Sequence, residues 1–332
     1  MKSSSLDSFV HLNIRSHYSI LEAIGSIDDI IARTLELGFD TIALTDINNM
    51  FGAIEFYEKA KKAKIKPIIG LTLSVTGLDN QIYTLTLLAK TYTGYTNLIE
   101  LSSLVRLNET KAVSFEELRQ YASDIICLTG NYSSELAQYL LHSPTKVPEL
   151  IKTYQDIFAD NLYLELIPLT QTPDQVKANT LLLEISAQYN IPPVLTAQSM
   201  YLQPEQKQAH DIMLAIKYKT NIQNRNRLSF AHEDYSIKSL QTMGELSKKL
   251  NIPEEALINT QKIADLCDVE IPLYQIQLPA FDVPPLSDGT ILSNEDYLRH
   301  LCRERIHYRY PKTIPDNLEE RLEYEFEFIQ KS

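Results

Sequence analysis

The alternation of short β-branched runs with longer amphipathic segments is the feature that most constrains the fold of this chain. The runs at 41–45 and 67–75 have the length and apolar content of buried strands, and the segments between such runs follow a 3.6-residue period. This alternation predicts βα units arranged in a parallel sheet or barrel. Seven strands are predicted, over residues 9–14, 41–45, 67–75, 81–88, 124–128, 161–166 and 193–196.

The segment after the first predicted strand has the clearest helix signals. Ser26 is a favourable N-cap residue, and Gly38 is a typical stop. A helix between them places four apolar side chains on one side, which we expect to be buried against the sheet. These side chains are Ile27, Ile30, Ile31 and Leu35.

Two domains are predicted from the change in pattern along the chain. Strands dominate the first part, helices take over from residue 204, and a stretch with four prolines follows at 271–285. We therefore expect one domain over 1–270 and a second segment over 271–332. The chain stops inside a charged amphipathic helix at 317–330, so we expect it to be the leading piece of a longer chain.

The composition excludes several classes of protein. The net charge of −12 argues against a nucleic-acid binder that acts through its whole surface. Three cysteines, Cys127, Cys267 and Cys302, share no Cys-x-x-Cys spacing, so neither a disulfide framework nor a zinc ribbon is expected. The sequence has no run of about 18 apolar residues and no signal peptide. We expect a cytoplasmic protein with no membrane partner.

An ordered series of motifs resembles the N-terminal region of bacterial DNA polymerase III alpha subunits. The first, FVHLNIRSHYS at 9–19, is similar to the opening motif of the PHP (polymerase and histidinol phosphatase) domain in that family. The others are ALTDINNMFG at 43–52, IKPIIG at 65–70, LLAK at 87–90, GYTNL at 94–98, AHD at 209–211, NT at 259–260 with IA at 263–264, and RLEYE at 321–325.

The resemblance implies a fold, a parent activity and a set of partners. It implies an α/β fold, a distorted seven-stranded (β/α) barrel of PHP type followed by a small mainly helical segment, with 271–332 as linker and beginning of the polymerase palm. The intact parent chain would be a DNA-directed DNA polymerase, a nucleotidyltransferase with Mg²⁺ at its palm. Since no Asp-x-Asp pair occurs in a strand context here, this segment is predicted to be inactive alone and to hold no cofactor.

The PHP motifs of active relatives place metal ligands at the carboxyl ends of barrel strands, and this sequence departs from that pattern. Among the positions that match the family's metal ligands, only Glu22 keeps a metal-binding group. A permanently charged Arg15 repels cations and can replace a metal by pairing with Glu22 or Asp46. We predict a metal-free barrel whose pocket is filled by hydrogen bonds. The positions that match the pocket are Asn13, Arg15, Glu22, Asp46, Ile47, Thr72, Thr84, Asn131, Leu169, Gln198 and Met200.

The main functional hypothesis is therefore a non-catalytic PHP region that supports the palm and contacts other replisome proteins. Its implied partners are the rest of the alpha subunit, replisome proteins and, through the intact chain, primer–template DNA. The resemblance also implies that in some relatives this domain docks a proofreading exonuclease or itself proofreads. The loss of the ligands argues against proofreading by this chain.

Two alternatives stay open from the sequence. One is a PHP phosphoesterase or 3′–5′ exonuclease with substitute ligands, namely His11, His17, Glu22 and Asp46. The other is a standalone module that binds DNA or protein through basic residues, although a solvated helix face explains the first basic run better. The possible phosphate contacts are Lys59, Lys61, Lys62, Lys64 and Lys66, and then Lys217, Lys219, Arg225 and Arg227.

Overall fold

The computed structural model describes residues 9–224, 226–275 and 279–331. The chain divides into two compact units, of which the first ends at Ile271 and the second begins at Pro272. The division lies in the proline-bearing stretch of the sequence, where the pyrrolidine rings disfavour both helix and sheet continuation.

The first unit is built on one curled sheet of six strands that are adjacent in chain order. Most neighbouring strands are parallel, but the third strand runs antiparallel to both of its neighbours. The strands are β1 (Thr41–Leu44), β2 (Lys66–Thr76), β3 (Ile82–Ala89), β4 (Ile125–Leu128), β5 (Leu162–Leu166) and β6 (Pro193–Leu195).

The prediction of a parallel arrangement throughout is wrong at β3, and the reason is the length of the connection. Only five residues join β2 to β3, with Gly77 donating to the carbonyl oxygen of Gln81 at 2.8 Å and Asn80 in the left-handed region at φ 62°. A parallel crossover needs about a dozen residues or more, so this connection can only make a hairpin.

The first predicted strand, 9–14, is an extended segment rather than a strand. It makes isolated parallel bridges on both sides, to Ile42 of β1 and to Ser199 beyond β6. On one side Ala43 donates to the carbonyl oxygen of His11 at 2.9 Å, and on the other Ser199 donates to that of Asn13 at 2.9 Å. The described residues thus form six strands and one bridging segment, and the seven strands of the prediction are not confirmed.

In the part of the first unit that the structure describes, ten α-helices accompany the sheet, and the first of them forms where its local sequence signals predict it. Ser26 accepts a hydrogen bond from the Asp29 amide at 3.1 Å, as an N-cap residue should. Leu35, expected on the buried side, is 53% exposed because the buried stripe continues through Thr34 instead. The helices are α1 (Ile27–Glu36), α2 (Ala53–Lys62), α3 (Tyr92–Leu107), α4 (Phe115–Gln120), α5 (Glu135–His142), α6 (Val147–Phe158), α7 (Pro173–Tyr189), α8 (Lys207–Lys217), α9 (Leu240–Lys249) and α10 (Glu254–Leu266).

Helix α10 covers the end of the sheet where the parallel strands begin. The hydroxyl of Thr260 accepts a hydrogen bond from the Val10 amide at 2.9 Å, and Lys66 at the start of β2 donates to the Ala264 carbonyl oxygen at 2.7 Å. The apolar core packs here, which leaves the carboxyl ends of the parallel strands for polar side chains. The core cluster consists of Val10, Leu12, Ala43, Ile68, Leu88, Ile126, Leu128, Tyr163, Val194, Ile263, Ala264 and Cys267.

The described residues of the second unit form three α-helices, which are α11 (Asn294–Glu304), α12 (Ile306–Arg309) and α13 (Leu318–Lys331). Phe326 of α13 is buried, and the guanidinium of Arg299 lies 4.5 Å from the centroid of its ring. Arg303 forms ion pairs with two glutamates of α13 at 2.6 and 2.9 Å. Part of the amphipathic face of α13 is therefore covered within this unit.

Candidate functional site

A polar cluster occupies the carboxyl end of the parallel strands, and Asn13 lies at its centre. The Asn13 amide donates to Glu165 of β5 at 2.9 Å and to the hydroxyl of Thr86 of β3 at 3.2 Å. Its oxygen accepts from the Thr45 hydroxyl at 3.2 Å, just after β1. Thr196, which follows β6, donates to the same oxygen of Glu165 at 2.5 Å. One asparagine thus ties together the ends of several strands.

Glu165 is a site residue that reasoning from the sequence missed. It is fully buried, its second carboxylate oxygen has no hydrogen-bond partner, and burial raises its pKa against the opposing effect of Thr196 and Asn13. The signal was present, since Glu165 is the one acidic residue in the otherwise apolar run LYLEL, and buried glutamates are rare without a partner.

The family motifs predict Thr84 of β3 in the pocket, but the β3 residue that contacts Asn13 is Thr86, two positions further along the strand. Thr84 pairs with Ser74 in the ladder and is half-buried, whereas the buried Thr86 pairs with Thr72 and accepts from Asn13. Residues two apart lie on the same face of a strand, so Thr84 and Thr86 share a face. Thr72 itself is buried and donates to a backbone carbonyl oxygen at 3.0 Å.

Arg15 brings a guanidinium into the same pocket. Arg15 is only 7% exposed, and its Nε has no hydrogen-bond partner. Burial lowers the pKa of Arg15, while the carboxylates of Glu22, Glu165 and Asp46 act in the opposite direction. None of these carboxylates forms an ion pair with it within 4 Å, so the expected pairing is not formed. Glu22 is paired with Lys217 of α8 instead.

Asp46 organises the loop that follows the bridging segment. One of its oxygens accepts from the Ser16 amide at 2.8 Å and from the Ser19 hydroxyl at 2.5 Å, and the other accepts from the Ser16 hydroxyl at 2.7 Å. Burial raises the pKa of Asp46, and these hydrogen bonds oppose the shift. The next residue, Ile47, donates its amide to Ser19 at 3.0 Å and bridges to Thr72. Both oxygens of Asp46 are therefore used within the loop.

The remaining predicted pocket positions divide into one polar pair and two core residues. Asn131 donates to the Gln198 side chain at 3.0 Å, and Gln198 adopts a left-handed backbone with φ 47°. Leu169 and Met200 are buried in an apolar cluster, so they supply packing and no ligand. That cluster also contains Ala23, Ile167, Tyr201 and Tyr235.

The histidines of the alternative hypothesis lie apart from the pocket. His11 donates from Nε2 to the Lys238 carbonyl oxygen at 2.8 Å, packs edge-on against Phe9 and Phe39, and has its pKa lowered to about 4 by burial. His17 is exposed, and its Nδ1 lies 3.3 Å from the Gly25 carbonyl oxygen. Within the described ranges, no group of three or more His, Cys, Asp or Glu side chains has an arrangement that could hold a metal ion.

The first group of predicted phosphate contacts is largely engaged within the protein. Lys59 pairs with two carboxylates, each at 2.7 Å, and Lys61 pairs with one at 2.5 Å. Lys66 donates to a backbone carbonyl oxygen of α10. Lys62 and Lys64 lie on the exposed surface.

The second group of predicted phosphate contacts is also partly engaged in ion pairs within the protein. Arg227 makes two hydrogen bonds to the carboxylate of Asp211, one of them at 2.7 Å, and Lys217 is in the ion pair described above. Lys219 is exposed with φ 49°. Arg225 lies outside the described residues.

The polar side chains of the pocket are poorly suited to hold a group of metal ions. Hydrolytic metal centres need several carboxylate or imidazole ligands around each ion, and a charge balance that favours cations. Here most polar groups already satisfy one another, and a buried guanidinium stands among the carboxylates. The residues present do not fit a multinuclear metal centre.

Comparison with known proteins places this geometry in a family. Residues 11–168 match the PHP domain family. The chain contains a PHP domain. Four residues of the polar cluster, Asn13, Thr45, Thr86 and Glu165, lie within the matched residues, whereas Thr196 lies beyond them.

The relatives extend the match beyond the PHP domain itself. The chain is 31% identical over 328 residues to DNA polymerase III subunit alpha of Thermus aquaticus, which covers 93% of this chain and 26% of that protein. It is 33% identical over 330 residues to DNA polymerase III subunit alpha of Bacillus subtilis, covering 98% of this chain and 28% of the relative. The chain thus spans 26–28% of the length of these relatives.

A solved structure named as a metal-dependent phosphoesterase, from Bifidobacterium adolescentis, is also similar, with 10% identity and a TM-score of 0.42 over 73% of this chain and 96% of that one. Among the helices of the described residues, none has the length and apolar content to cross a membrane.

Proposed function

We propose that this chain is the non-catalytic N-terminal PHP region of a bacterial DNA polymerase III alpha subunit, which supports the palm and contacts other replisome proteins in the cytoplasm. The identity to alpha subunits over nearly the whole chain supports this proposal. In this proposal, residues 1–270 form the PHP domain and 271–332 form the linker and the beginning of the palm. Nucleotide transfer and its Mg²⁺ belong to palm carboxylates that this sequence lacks.

One observation carries the non-catalytic part of the proposal. The pocket at the strand ends is filled by hydrogen bonds among its own side chains, with Asn13 bridging Glu165, Thr86 and Thr45. The buried Arg15 adds a fixed positive charge where active PHP enzymes need a cation site. Such a pocket joins the strand ends to one another, and its carboxylates are not grouped to hold a metal ion that would activate water.

The alternative hypotheses have less support from the geometry. A phosphoesterase with substitute ligands needs His11, His17, Glu22 and Asp46 in one place, but His11 and Asp46 are each engaged elsewhere and Glu22 is ion-paired. A module that binds DNA through Lys59 and its neighbours needs free basic side chains, and several of these are already paired.

The absence of hydrolytic activity is directly testable. The chain, incubated with a 3′-mismatched primer–template and with Mg²⁺, Mn²⁺ or Zn²⁺ in turn, is expected to release no nucleotide above the rate without protein. Product is measured by gel electrophoresis of the labelled primer. Release that depends on added metal, is lost in Glu22→Ala and persists in the surface control Glu36→Ala would establish the phosphoesterase alternative instead.

A further inference from the structure

Three large apolar side chains stand exposed around one groove at the mouth of the PHP domain. They are Ile20, which is 74% exposed, Phe51, which is 66% exposed, and Leu107 at the end of α3, which is 78% exposed. Two cavities of about 280 and 290 Å³ lie beside them and share Phe51 and Arg106 in their walls. Exposed apolar side chains gathered in one patch mark an interaction site more often than single ones do.

Asn48 and Asn49, which line both cavities of the groove, are held in place by hydrogen bonds within the protein. The Asn48 side chain accepts from the Ser74 amide and donates to the Ser74 hydroxyl, both at 2.8 Å. The Asn49 amide donates to the carbonyl oxygens of Tyr18 at 3.1 Å and Ile47 at 2.9 Å. These amides are used by the protein itself, so the walls offer a ligand mainly apolar surface in a preformed shape.

The charge of the groove is positive once internal pairs are considered. Its walls contain two charged side chains, Glu22 and Arg106. Glu22 is neutralised by Lys217, whereas no described carboxylate forms an ion pair with Arg106. Lys111 lies close by, with its Nζ 2.8 Å from the Arg106 carbonyl oxygen. The groove is therefore complementary to an apolar segment that also carries a carboxylate.

We propose that this groove, defined by Ile20, Phe51, Arg106 and Leu107, docks a segment of a partner protein in which large apolar side chains flank a carboxylate. The apolar side chains would cover the exposed rim, and the carboxylate would pair with the guanidinium of Arg106. This inference rests on the proposed function only in assuming that the chain works beside other proteins, and it is independent of whether the pocket hydrolyses anything.

The test uses two synthetic peptides of about ten residues, one of alternating leucine, phenylalanine and aspartate and one with lysine in place of aspartate. Binding to the full chain is followed by fluorescence anisotropy. We expect saturable binding of the acidic peptide that is about tenfold tighter than that of the basic one. Phe51→Ser should weaken it by about tenfold, and Arg106→Glu should remove the preference for the acidic peptide.

Ile82→Ser is the matched control, because Ile82 is 54% exposed at the start of β3 and lies outside the groove. It should leave binding unchanged, and far-UV circular dichroism should show that every variant is folded. Equal binding of the two peptides, no saturable binding, an equal effect of Ile82→Ser, or self-association that Phe51→Ser abolishes would each overturn the proposal. The nuclease assay above is unaffected by any of these outcomes, so failure of the groove and failure of the non-catalytic assignment are distinguishable.

Discussion

Replacing Gly94 with alanine is expected to lower the free energy of unfolding by about 3 kcal/mol, because the added methyl group has no space. A Cβ at this position would lie 2.2 Å from the carbonyl oxygen of Asp124 and 3.3 Å from the Cα of Ala89. Both neighbours are backbone atoms, and the Asp124 oxygen also accepts a hydrogen bond from the Lys90 amide at 2.9 Å. Helix α3 would have to move away from the start of β4.

Gly38→Ala is the control for this substitution. Gly38 has a left-handed backbone with φ 78°, but no atom lies within 4 Å of its added methyl group. Its replacement should cost about 1 kcal/mol from backbone strain alone. Urea denaturation followed by circular dichroism measures both losses, and equal small losses would contradict the close approach of α3 to β4.

Replacing Arg15 with methionine is expected to destabilise the protein by about 2 kcal/mol more at about pH 8 than at about pH 5. Burial raises the pKa values of Glu165 and Asp46 above their ordinary 4.5 and 3.8, so the folded state holds these protons more tightly than the unfolded state. Their contribution to stability is present below the unfolded values and is lost as the pH rises through the folded values. The charge of Arg15 limits that loss by favouring the ionised carboxylates.

Arg15→Lys separates charge from packing. It changes the shape of the side chain but keeps a positive charge, so its loss of stability should depend much less on pH than that of Arg15→Met. Chemical denaturation at the two pH values gives the comparison. If Arg15→Met loses the same free energy at both, the guanidinium does not act on the buried carboxylates, and its role is packing alone.

Asn13 and Glu165 are the centres of the hydrogen bonds that join the strand ends in the pocket. Asn13 connects the bridging segment to β3 and β5 and accepts from the residue after β1, while Thr196 connects β6 to Glu165. Each buried hydrogen bond of this kind contributes about 1 kcal/mol, and losing one partner costs more because the other is left unsatisfied.

Features encoded within a few residues were predictable from the sequence. Ser26 caps α1 and Ser114 caps α4 with a reciprocal bond from Glu117, because an N-cap needs only its own side chain and the next turn. The direction of β3 was missed although it also has a local cause, since the five-residue connection after β2 excludes a crossover.

Features that depend on distant residues were not predictable in this way. The pairing of Glu22 with Lys217 joins residues far apart in the chain, and nothing in the local sequence favours Lys217 over the nearby Arg15 as the partner. Glu165 lies in the site because both faces of β5 are buried. Whether a strand is buried on both faces depends on the elements packed against the sheet, which the local sequence does not specify. Reasoning from motif positions alone gave Asn13 and the region of the pocket. It missed the hydrogen-bond partners of the cluster, which are Glu165, Thr86, Thr45 and Thr196.

The metal content of the purified chain tests the central claim most directly. Protein prepared without chelators should contain less than about 0.1 equivalent of zinc, manganese or iron by inductively coupled plasma mass spectrometry, and EDTA should leave its Tm unchanged. One or more equivalents of metal per chain, with a Tm that falls on chelation and recovers when the metal is restored, would contradict a pocket filled by its own hydrogen bonds.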